Sequence, residues 1–269
     1  MKQNQEDNKL VDQALKIAKE IAREAGVYLL GKQTHSTVLS KKASRDHLLD
    51  ADLEAERLIL QTLQTAFPTF GLLSEEAGAA HPGTSYQWVV DPLDGSANFQ
   101  HRSPQFALSL SLLERTRPIL SVMYLPVYDE LFTAVRGQGA TCNGSPIHVS
   151  STCLLEEAIL HVSDFTKNGD RQENTRRLDY LSKIAYAVRS VRMLGTAVFD
   201  FAYVASGKAD ACVLYSMHPW DSAAGSLFVE EAGGKVVRET DKQGASLCLY
   251  SNEHLYSSLL QLLTDAPTS

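Results

Sequence analysis

A run of apolar residues in the first half of the chain leads directly into two aspartates that are three positions apart. The run reads Trp88-Val89-Val90-Asp91-Pro92-Leu93-Asp94. Such a run predicts a buried strand over residues 87–90, and the proline fixes the backbone where the chain turns after it. A chain with this segment is therefore expected to fold around a sheet whose edge gathers the two carboxylates in one cleft.

Two neighbouring carboxylates at a sheet edge predict a cation site. Each carboxylate raises the cost of ionising the other unless a cation lies between them. Asp91 and Asp94 offer hard oxygen ligands of the kind that Mg²⁺ binds, and the backbone carbonyl of Leu93 could complete the shell. Gly95-Ser96 is expected to open a short helix whose N–H groups bind an anion beside the metal. An ordinary surface turn is the alternative, because every residue of Asp-Pro-Leu-Asp-Gly favours turns.

The charge of the chain argues against nucleic-acid and membrane-surface partners. Lys+Arg 25 against Asp+Glu 32 gives the 269 residues a formal net charge of −7, which repels phosphate backbones and anionic lipids. No apolar stretch approaches the ~20 residues of a membrane helix, and the polar N-terminus lacks the apolar core of a signal peptide. The four cysteines are scattered without metal-ligand spacing, so we expect reduced thiols in a cytoplasmic protein.

Hydrophobic periodicity predicts a mixed α/β (α+β) fold built in layers. Apolar residues at helical spacing predict helices over residues 9–30 and 52–66, and alternation predicts a strand over 106–112. A strand pair is expected over 119–125 and 130–135, followed by a turn at Asn143-Gly144. The second half alternates between strand and helix up to a last helix over 253–263. Antiparallel strands early and alternating elements later favour stacked helices and sheets.

Three further acidic positions lie near the ends of predicted elements. Glu75 follows an apolar run, Asp52 starts the second helix, and Asp221 starts a helix rich in small residues. Each has a simpler interpretation when taken alone, because Glu75 suits a solvated loop and the two aspartates suit helix caps.

Together these motifs resemble the inositol monophosphatase family of Mg²⁺-dependent, lithium-sensitive phosphatases. The resemblance rests on Ser-Glu-Glu-Ala-Gly from Ser74, Asp-Pro-Leu-Asp-Gly-Ser-Ala-Asn-Phe from Asp91 and Trp-Asp-Ser-Ala-Ala-Gly from Trp220, in this order. It implies a layered αβαβα sandwich forming a single domain over residues 1–269, with two subdomains at roughly 1–150 and 151–269. It also implies a homodimer and two or three bound Mg²⁺ ions.

The resemblance also implies roles for individual residues. The metal ligands would be Glu75, Asp91, Asp94 and Asp221, together with the Leu93 carbonyl. Two cations would clamp the attacking and leaving oxygens of an in-line displacement at phosphorus. The proton of the attacking water would pass toward the Ser96 hydroxyl and Asp52, so Ser96, Asp52 and Glu75 are the expected catalytic residues.

The expected substrate contacts include two departures from the family pattern. The implied set is Asp94, Gly95, Ser96, Gly195, Thr196, Ala197 and Leu214. Ser96 stands where the family usually has a threonine, which preserves the hydroxyl. Leu214 stands where the animal inositol enzymes have a glutamate that hydrogen-bonds ring hydroxyls, and leucine accepts no hydrogen bond.

Phosphate-ester hydrolysis is therefore the predicted reaction, with the alcohol left open. The first candidate is a Mg²⁺-dependent phosphomonoesterase acting on inositol monophosphate or a related small sugar phosphate. A 3′(2′),5′-bisphosphate nucleotidase or a histidinol-phosphatase is the alternative that Leu214 keeps open. A non-enzymatic binding partner of the transcription machinery is a lesser alternative, because such a protein has no need of the full ligand set. Lys41 and Lys42 are predicted to lie in a mobile loop, either near the phosphate or in solvent.

Overall fold

The structure, a computed structural model, describes residues 2–43, 46–81, 83–166, 168–215, 218–240 and 246–264, with the backbone alone at residues 2–7, 221, 240 and 246. Within these ranges the helices are α1 (Lys2–Lys32), α2 (Asp50–Ala66), α3 (Ser96–Gln100), α4 (Arg171–Ala187), α5 (Ala197–Ala205), α6 (Pro219–Glu231) and α7 (Tyr256–Thr264). The strands are β1 (Val38–Ala43), β2 (Asp46–Leu49), β3 (Gly71–Ser74), β4 (Gly78–Ala80), β5 (Tyr86–Asp94), β6 (Ala107–Glu114), β7 (Arg117–Leu125), β8 (Glu130–Val135), β9 (Gly139–Cys142), β10 (Ser145–Pro146), β11 (Ile159–Val162), β12 (Ser190–Arg192), β13 (Ala211–Tyr215), β14 (Lys235–Thr240) and β15 (Ser246–Ser251).

The first sheet has eight strands in the order β10-β9-β8-β7-β6-β5-β3-β4. Its neighbouring strands are antiparallel except for β3 and β5, which run parallel. One face of the sheet packs under α1 and α2, where Trp88, Val90 and Leu110 share a buried cluster with Ile21 and Ile59. The alternation predicted along β6 therefore has a physical cause, because every second side chain of this strand faces these helices.

The second sheet has five strands in the order β12-β11-β13-β15-β14. β11 pairs in parallel with both β12 and β13, whereas β15 is antiparallel to β13 and β14. The carboxyl ends of β11, β12 and β13 consequently lie at one edge of this sheet. In α/β proteins, such an edge is where ligands bind.

Helices α5 and α6 fill the space between the two sheets. Phe132 of the first sheet and Tyr250 of the second lie in one buried cluster with Phe199 and Phe228 of these helices. The outer face of the second sheet is covered by α4 and α7. The layers are therefore α1/α2, first sheet, α5/α6, second sheet and α4/α7, which confirms the predicted αβαβα sandwich.

The two sheets divide the chain near its middle. The first sheet is built from residues 71–146 and the second from residues 159–251. We propose that these halves are the two subdomains of a single domain, since α5 and α6 pack against both sheets in one continuous cluster. None of the helices in the described ranges combines the length and the apolar character that a bilayer span needs.

The prediction of a mobile loop around Lys41 and Lys42 is wrong. Both residues lie in β1, which forms a two-stranded antiparallel hairpin with β2. β1 is largely exposed and buries no apolar face, so the hydrophobic pattern contains no signal for it. Pairing with β2 is what orders this polar segment.

Candidate active site

The two aspartates of the acidic segment lie on β5, which runs on to Asp94 instead of ending before Asp91. Asp91 pairs with Ser109 of β6 and Asp94 pairs with Ala107, so three steps along β5 match two along β6. This bulge accommodates Pro92, which has no N–H for the ladder. The strand therefore bends at the acidic segment without breaking, and the predicted turn is a β-bulge.

Asp91 is buried within this bulge. Only 2% of its surface is exposed, and its Oδ1 accepts a hydrogen bond of 3.1 Å from the backbone N–H of Leu93. The bond ties two of the predicted metal ligands, the Asp91 carboxylate and the Leu93 peptide, to one short piece of backbone.

The carboxylate of Asp94 is held by the start of α5. Thr196 Oγ1 and the Val198 N–H donate to Asp94 Oδ2 at 2.5 and 2.6 Å, so neither bond engages Oδ1. Burial raises the pKa of Asp94 to about 6, and the negative charges of Asp200 and Glu75 add to the rise, while the two hydrogen bonds oppose it. Asp94 thus lies where negative charge accumulates and where a cation would be stabilised.

Gly95 turns the chain from β5 into α3. Its φ of +85° is in the left-handed region, and a Cβ at this position would lie 2.9 Å from the carbonyl oxygen of Gln105. Glycine is therefore required on both counts. Ser96 follows as the first residue of α3, half-buried, and the five residues of this helix give it only a small dipole.

Asn98 ties α3 to the segment that the resemblance assigns to the substrate. Its Nδ2 donates to the carbonyl oxygens of Gln105 and Leu194, at 2.8 and 2.7 Å. The next residue is Gly195, whose φ of +72° is again left-handed. Thr196 caps α5, and Ala197 begins it. Asp94, Gly95, Ser96 and the 195–197 segment are thereby brought together at the interface of the two sheets.

Glu75 lies in a turn after β3 and is paired with Lys42. Lys42 Nζ lies 2.9 Å from Glu75 Oε1 and also contacts Glu76. Burial alone would lower the pKa of Lys42, but the two carboxylates outweigh it and hold the pKa above its usual value. The turn itself is fixed by Glu56 of α2, which accepts hydrogen bonds from the N–H groups of Glu76 and Ala77. Glu56 was not predicted, since nothing in its helical context distinguishes it.

Asp52 lies in the first turn of α2, close to the same carboxylates. It is 2% exposed and accepts a 2.7 Å hydrogen bond from the Leu49 N–H, so it caps the helix from inside the first turn. Burial raises its pKa to about 7. The Leu49 bond and the Lys42 charge oppose the rise, and the charges of Glu76 and Glu75 add to it. A carboxyl group with this pKa exchanges a proton readily near neutral pH.

The remaining predicted residues lie on β13 and α6. Leu214 is 2% exposed and belongs to the buried cluster between the sheets. Asp221 is in the first turn of α6, but its side chain lies outside the described residues. Just before it, the rings of His218 and Trp220 stack with centroids 4.7 Å apart.

The donor chemistry of these residues fits Mg²⁺. Every predicted ligand is a carboxylate or carbonyl oxygen, and the Glu75 charge is close enough to Asp94 to raise its pKa. Among the side chains that the structure describes, no three His, Cys, Asp or Glu residues converge tightly enough to hold an ion between them. The fit of these residues to Mg²⁺ therefore rests on their oxygen donors and on the negative charge of neighbouring carboxylates such as Glu75 and Asp94.

A buried histidine–aspartate pair lies behind the site. His161 Nδ1 lies 2.8 Å from Asp200 Oδ1, and both residues are almost fully buried. Asp200 was not among the residues predicted from the sequence. The available signal was that Asp200 is the single charged residue in the helix Ala197–Ala205.

Comparisons with known proteins agree with this architecture. The sequence profile of the inositol monophosphatase family matches residues 10–266. An inositol monophosphatase of Dictyostelium discoideum is 34% identical over 273 residues, covering 98% of this chain and 99% of that protein. The Nus factor SuhB of Escherichia coli strain K12 is 39% identical over 227 residues, covering 82% of this chain and 84% of that protein. The crystal structure of the extragenic suppressor protein suhB of Bartonella henselae superposes with a TM-score of 0.86 at 33% identity, covering 94% of this chain and 99% of that one.

Proposed function

Because the chain belongs to the inositol monophosphatase family, and is thus a phosphoric monoester hydrolase, we propose that it hydrolyses inositol monophosphate or a related small sugar phosphate in a Mg²⁺-dependent reaction. The observation that carries the proposal is the pair of hydrogen bonds from Thr196 and Val198 to Asp94. They join the acidic segment of the first sheet to the Gly195 segment, so that cation ligands and substrate-lining backbone form one site.

The cation ligands in this proposal are Glu75, Asp91, Asp94 and Asp221 with the Leu93 carbonyl. When bound, two Mg²⁺ ions supply Lewis-acid activation of water and neutralise charge on the phosphoryl group. The protein orients the ligands: α5 occupies Oδ2 of Asp94 with two hydrogen bonds and leaves Oδ1 available, which is the usual way that a second layer of contacts fixes a ligand.

Ser96 and Asp52 handle the proton of the attacking water. The Ser96 hydroxyl can both donate and accept a hydrogen bond, which suits a relay. Asp52 is the final acceptor, because burial holds its pKa at about 7 and a base works best when its pKa is near the working pH. Lys42 and the two glutamates beside it adjust that pKa in opposite directions.

Two glycine-containing segments contact different parts of the substrate. Gly95 and Ser96 contact the phosphate, and Gly195, Thr196 and Ala197 line the alcohol. Both glycines have a positive φ, which lets the backbone approach a ligand without an intervening side chain. Leu214, which the resemblance assigns to the alcohol side, is buried and offers the alcohol no hydrogen-bond acceptor.

A substrate panel tests this assignment. The purified protein is assayed for phosphate release from inositol 1-phosphate, fructose 1,6-bisphosphate, histidinol phosphate and 3′-phosphoadenosine 5′-phosphate, with and without Mg²⁺. A Mg²⁺-dependent preference for the inositol ester supports the proposal. A preference for the nucleotide or for histidinol phosphate would replace it with the corresponding alternative.

A second candidate function, binding to the transcription machinery, is favoured by the identity of 39% to a SuhB protein that is named a Nus factor. The two functions are separable, because binding does not require Asp94. A stoichiometric partner recovered equally by the wild type and by Asp94→Asn would support the binding role. The proposed assembly is a homodimer, for which light scattering should give twice the mass of the chain.

A further inference from the structure

One carboxylate at the carboxyl end of the second sheet has no part in the function proposed above. Asp164 follows the end of β11, and Gly195 follows the end of β12, the neighbouring parallel strand. Ligands bind beyond the carboxyl ends of parallel strands because the loops there leave a crevice. Asp164 therefore lies in the position expected of a ligand-contacting residue.

The Asp164 side chain lies directly against Gly195. Its Oδ2 is 3.3 Å from the point that a Cβ on Gly195 would occupy, and the Nδ2 of Asn98 is 3.4 Å from the same point. Asn98 is on α3, two residues after Ser96. The carboxylate thus faces the segment assigned to the alcohol, beside the helix that carries Ser96.

The backbone of Asp164 is anchored, whereas its carboxylate is available. Arg177 Nη1 donates a 2.5 Å hydrogen bond to the Asp164 carbonyl, and its Nε donates to Glu173 at 3.1 Å. The guanidinium also lies 5.0 Å from the centre of the Tyr215 ring. The Asp164 side chain itself is exposed and accepts no hydrogen bond within the described part of the chain. An anchored backbone with a free acceptor is preorganised for a ligand.

Asp164 lies near the carboxylate of Asp200 and near the guanidinium of Arg177, whose charge Glu173 balances. Asp200 lies close enough that the Asp164 charge adds to the rise that burial causes in the Asp200 pKa. Arg192 ends the neighbouring strand β12, and its Nη1 is used by Ser190 Oγ and the Val191 carbonyl of its own strand. A hydroxyl group would be stabilised beside Asp164, and a second phosphate would be repelled.

We propose that Asp164 selects the alcohol of the substrate: its carboxylate accepts hydrogen bonds from hydroxyl groups of a neutral polyol and disfavours a bisphosphate. The inference rests on the proposed phosphatase function and narrows its substrate class to polyol monophosphates. Leu214, at the end of the neighbouring strand β13, is apolar and buried. Asp164 supplies the hydrogen-bond acceptor that this leucine lacks.

The test compares Asp164→Asn and Asp164→Ala with the wild type on three esters: myo-inositol 1-phosphate, fructose 1,6-bisphosphate and p-nitrophenyl phosphate, which has no hydroxyl groups. We expect the ratio of kcat/KM for the inositol ester to that for p-nitrophenyl phosphate to fall about ten- to hundredfold, the usual effect of a hydrogen bond to a charged group. The loss should be in KM, because the contact is made in both the ground state and the transition state. In the Asp164 variants, the ratio of kcat/KM for the inositol ester to kcat/KM for fructose 1,6-bisphosphate should fall as well.

The matched control is Asp179→Asn, which removes the same charge from an exposed position of α4. The inference is supported if the kcat/KM ratios between esters change in the Asp164 variants and not in Asp179→Asn. Ratios that are the same in all variants overturn it while leaving the phosphatase function intact. A wild-type protein that hydrolyses none of the three esters with Mg²⁺ overturns the proposed function, and the role of Asp164 with it.

Discussion

Thr196 Oγ1 donates a hydrogen bond of 2.5 Å to Oδ2 of Asp94, although 102 positions separate the two residues in the chain. Asp94 ends a strand of the first sheet, and Thr196 caps the helix that packs between the sheets. Neither half of the chain contains the whole site. This bond, together with the one from the Val198 N–H, therefore couples the acidic segment to the segment assigned to the substrate.

Removing that bond is predicted to reduce turnover with a moderate loss of stability. Thr196→Val keeps the shape of the side chain but leaves Asp94 with one donor and α5 without its cap. We expect kcat to fall about tenfold or more and the free energy of unfolding to fall by about 1–2 kcal/mol. Steady-state kinetics and urea unfolding measure the two effects.

The control for this substitution is Thr175→Val on α4. Its hydroxyl bonds only to the Arg171 carbonyl of the same helix, so turnover should be unaffected. Equal kcat in Thr196→Val and Thr175→Val would mean that the contact with Asp94 has no part in the reaction.

Gly95→Ala is predicted to destabilise the protein more than Gly144→Ala. Both glycines have a φ near +80°, but a Cβ at Gly144 meets nothing within 4 Å, whereas one at Gly95 lies 2.9 Å from the Gln105 carbonyl oxygen. Positive φ alone costs an alanine about 1–2 kcal/mol. The free energy of unfolding should fall by that amount for Gly144→Ala and by a clearly larger amount for Gly95→Ala. A similar loss for both would show that the backbone at Gly95 moves away freely.

The charge on Asp52 is predicted to destabilise the fold at high pH. Its pKa of about 7 in the folded protein is higher than the ~4 of an unfolded chain. The folded state thus binds the proton more tightly, and stability falls as pH rises from about 4 to about 7. Asp52→Asn should raise the free energy of unfolding by about 1–3 kcal/mol more at pH 8 than at pH 5, seen as a larger rise in melting temperature at pH 8, while lowering kcat.

Asp50→Asn, two residues away, provides a control whose effect on stability at pH 8 should have the opposite sign. Burial would raise the pKa of Asp50, but hydrogen bonds from Lys32, Thr37 and Ser36 outweigh it and hold the pKa well below its usual value. A lowered pKa contributes stability above the unfolded value, and this is lost only in acid. Asp50→Asn should therefore lower the melting temperature at pH 8. The same sign for both variants at pH 8 would contradict the assigned environments.

A hydroxyl group at position 96 is predicted to be required for activity, but either serine or threonine can supply it. Ser96→Thr keeps the hydroxyl and should retain most of the activity, whereas Ser96→Ala should lose about a hundredfold in kcat, the usual scale of one proton-transfer group. Single-turnover phosphate release measures the chemical step. Near wild-type release by Ser96→Ala would remove serine from the proton path.

Local pattern was sufficient to predict the elements that bury a regular apolar face. The helix predicted over 52–66 occurs as Asp50–Ala66, and the strand predicted over 106–112 occurs as Ala107–Glu114. β1 and β2 were not predicted, because β1 is mostly exposed, β2 buries only Leu49 fully, and the order of both strands comes from pairing with each other. β15 was missed for a different reason: residues 247–250 are all buried, and a short apolar run without alternation does not distinguish strand from helix. Pairing with β13 and β14 on its two sides makes it a strand.

The residues of the site were predictable from motifs, but their contacts were not. The motif order places Asp94 and Thr196 in the same site, yet only the packing of α5 between the sheets shows which oxygen of Asp94 accepts the bond. The pairing of Lys42 with Glu75 and Glu76 was also not foreseen, since it depends on a hairpin that the sequence pattern does not reveal.

Phosphate release from inositol 1-phosphate by the wild type and by Asp94→Asn, each with and without Mg²⁺, tests the central claim most directly. The asparagine can still accept hydrogen bonds from Thr196 and Val198, so circular dichroism should show an intact fold. We predict release by the wild type only with Mg²⁺, and a loss of at least about a hundredfold in the variant. Mg²⁺-independent release, or near wild-type release by a folded Asp94→Asn, would contradict the account.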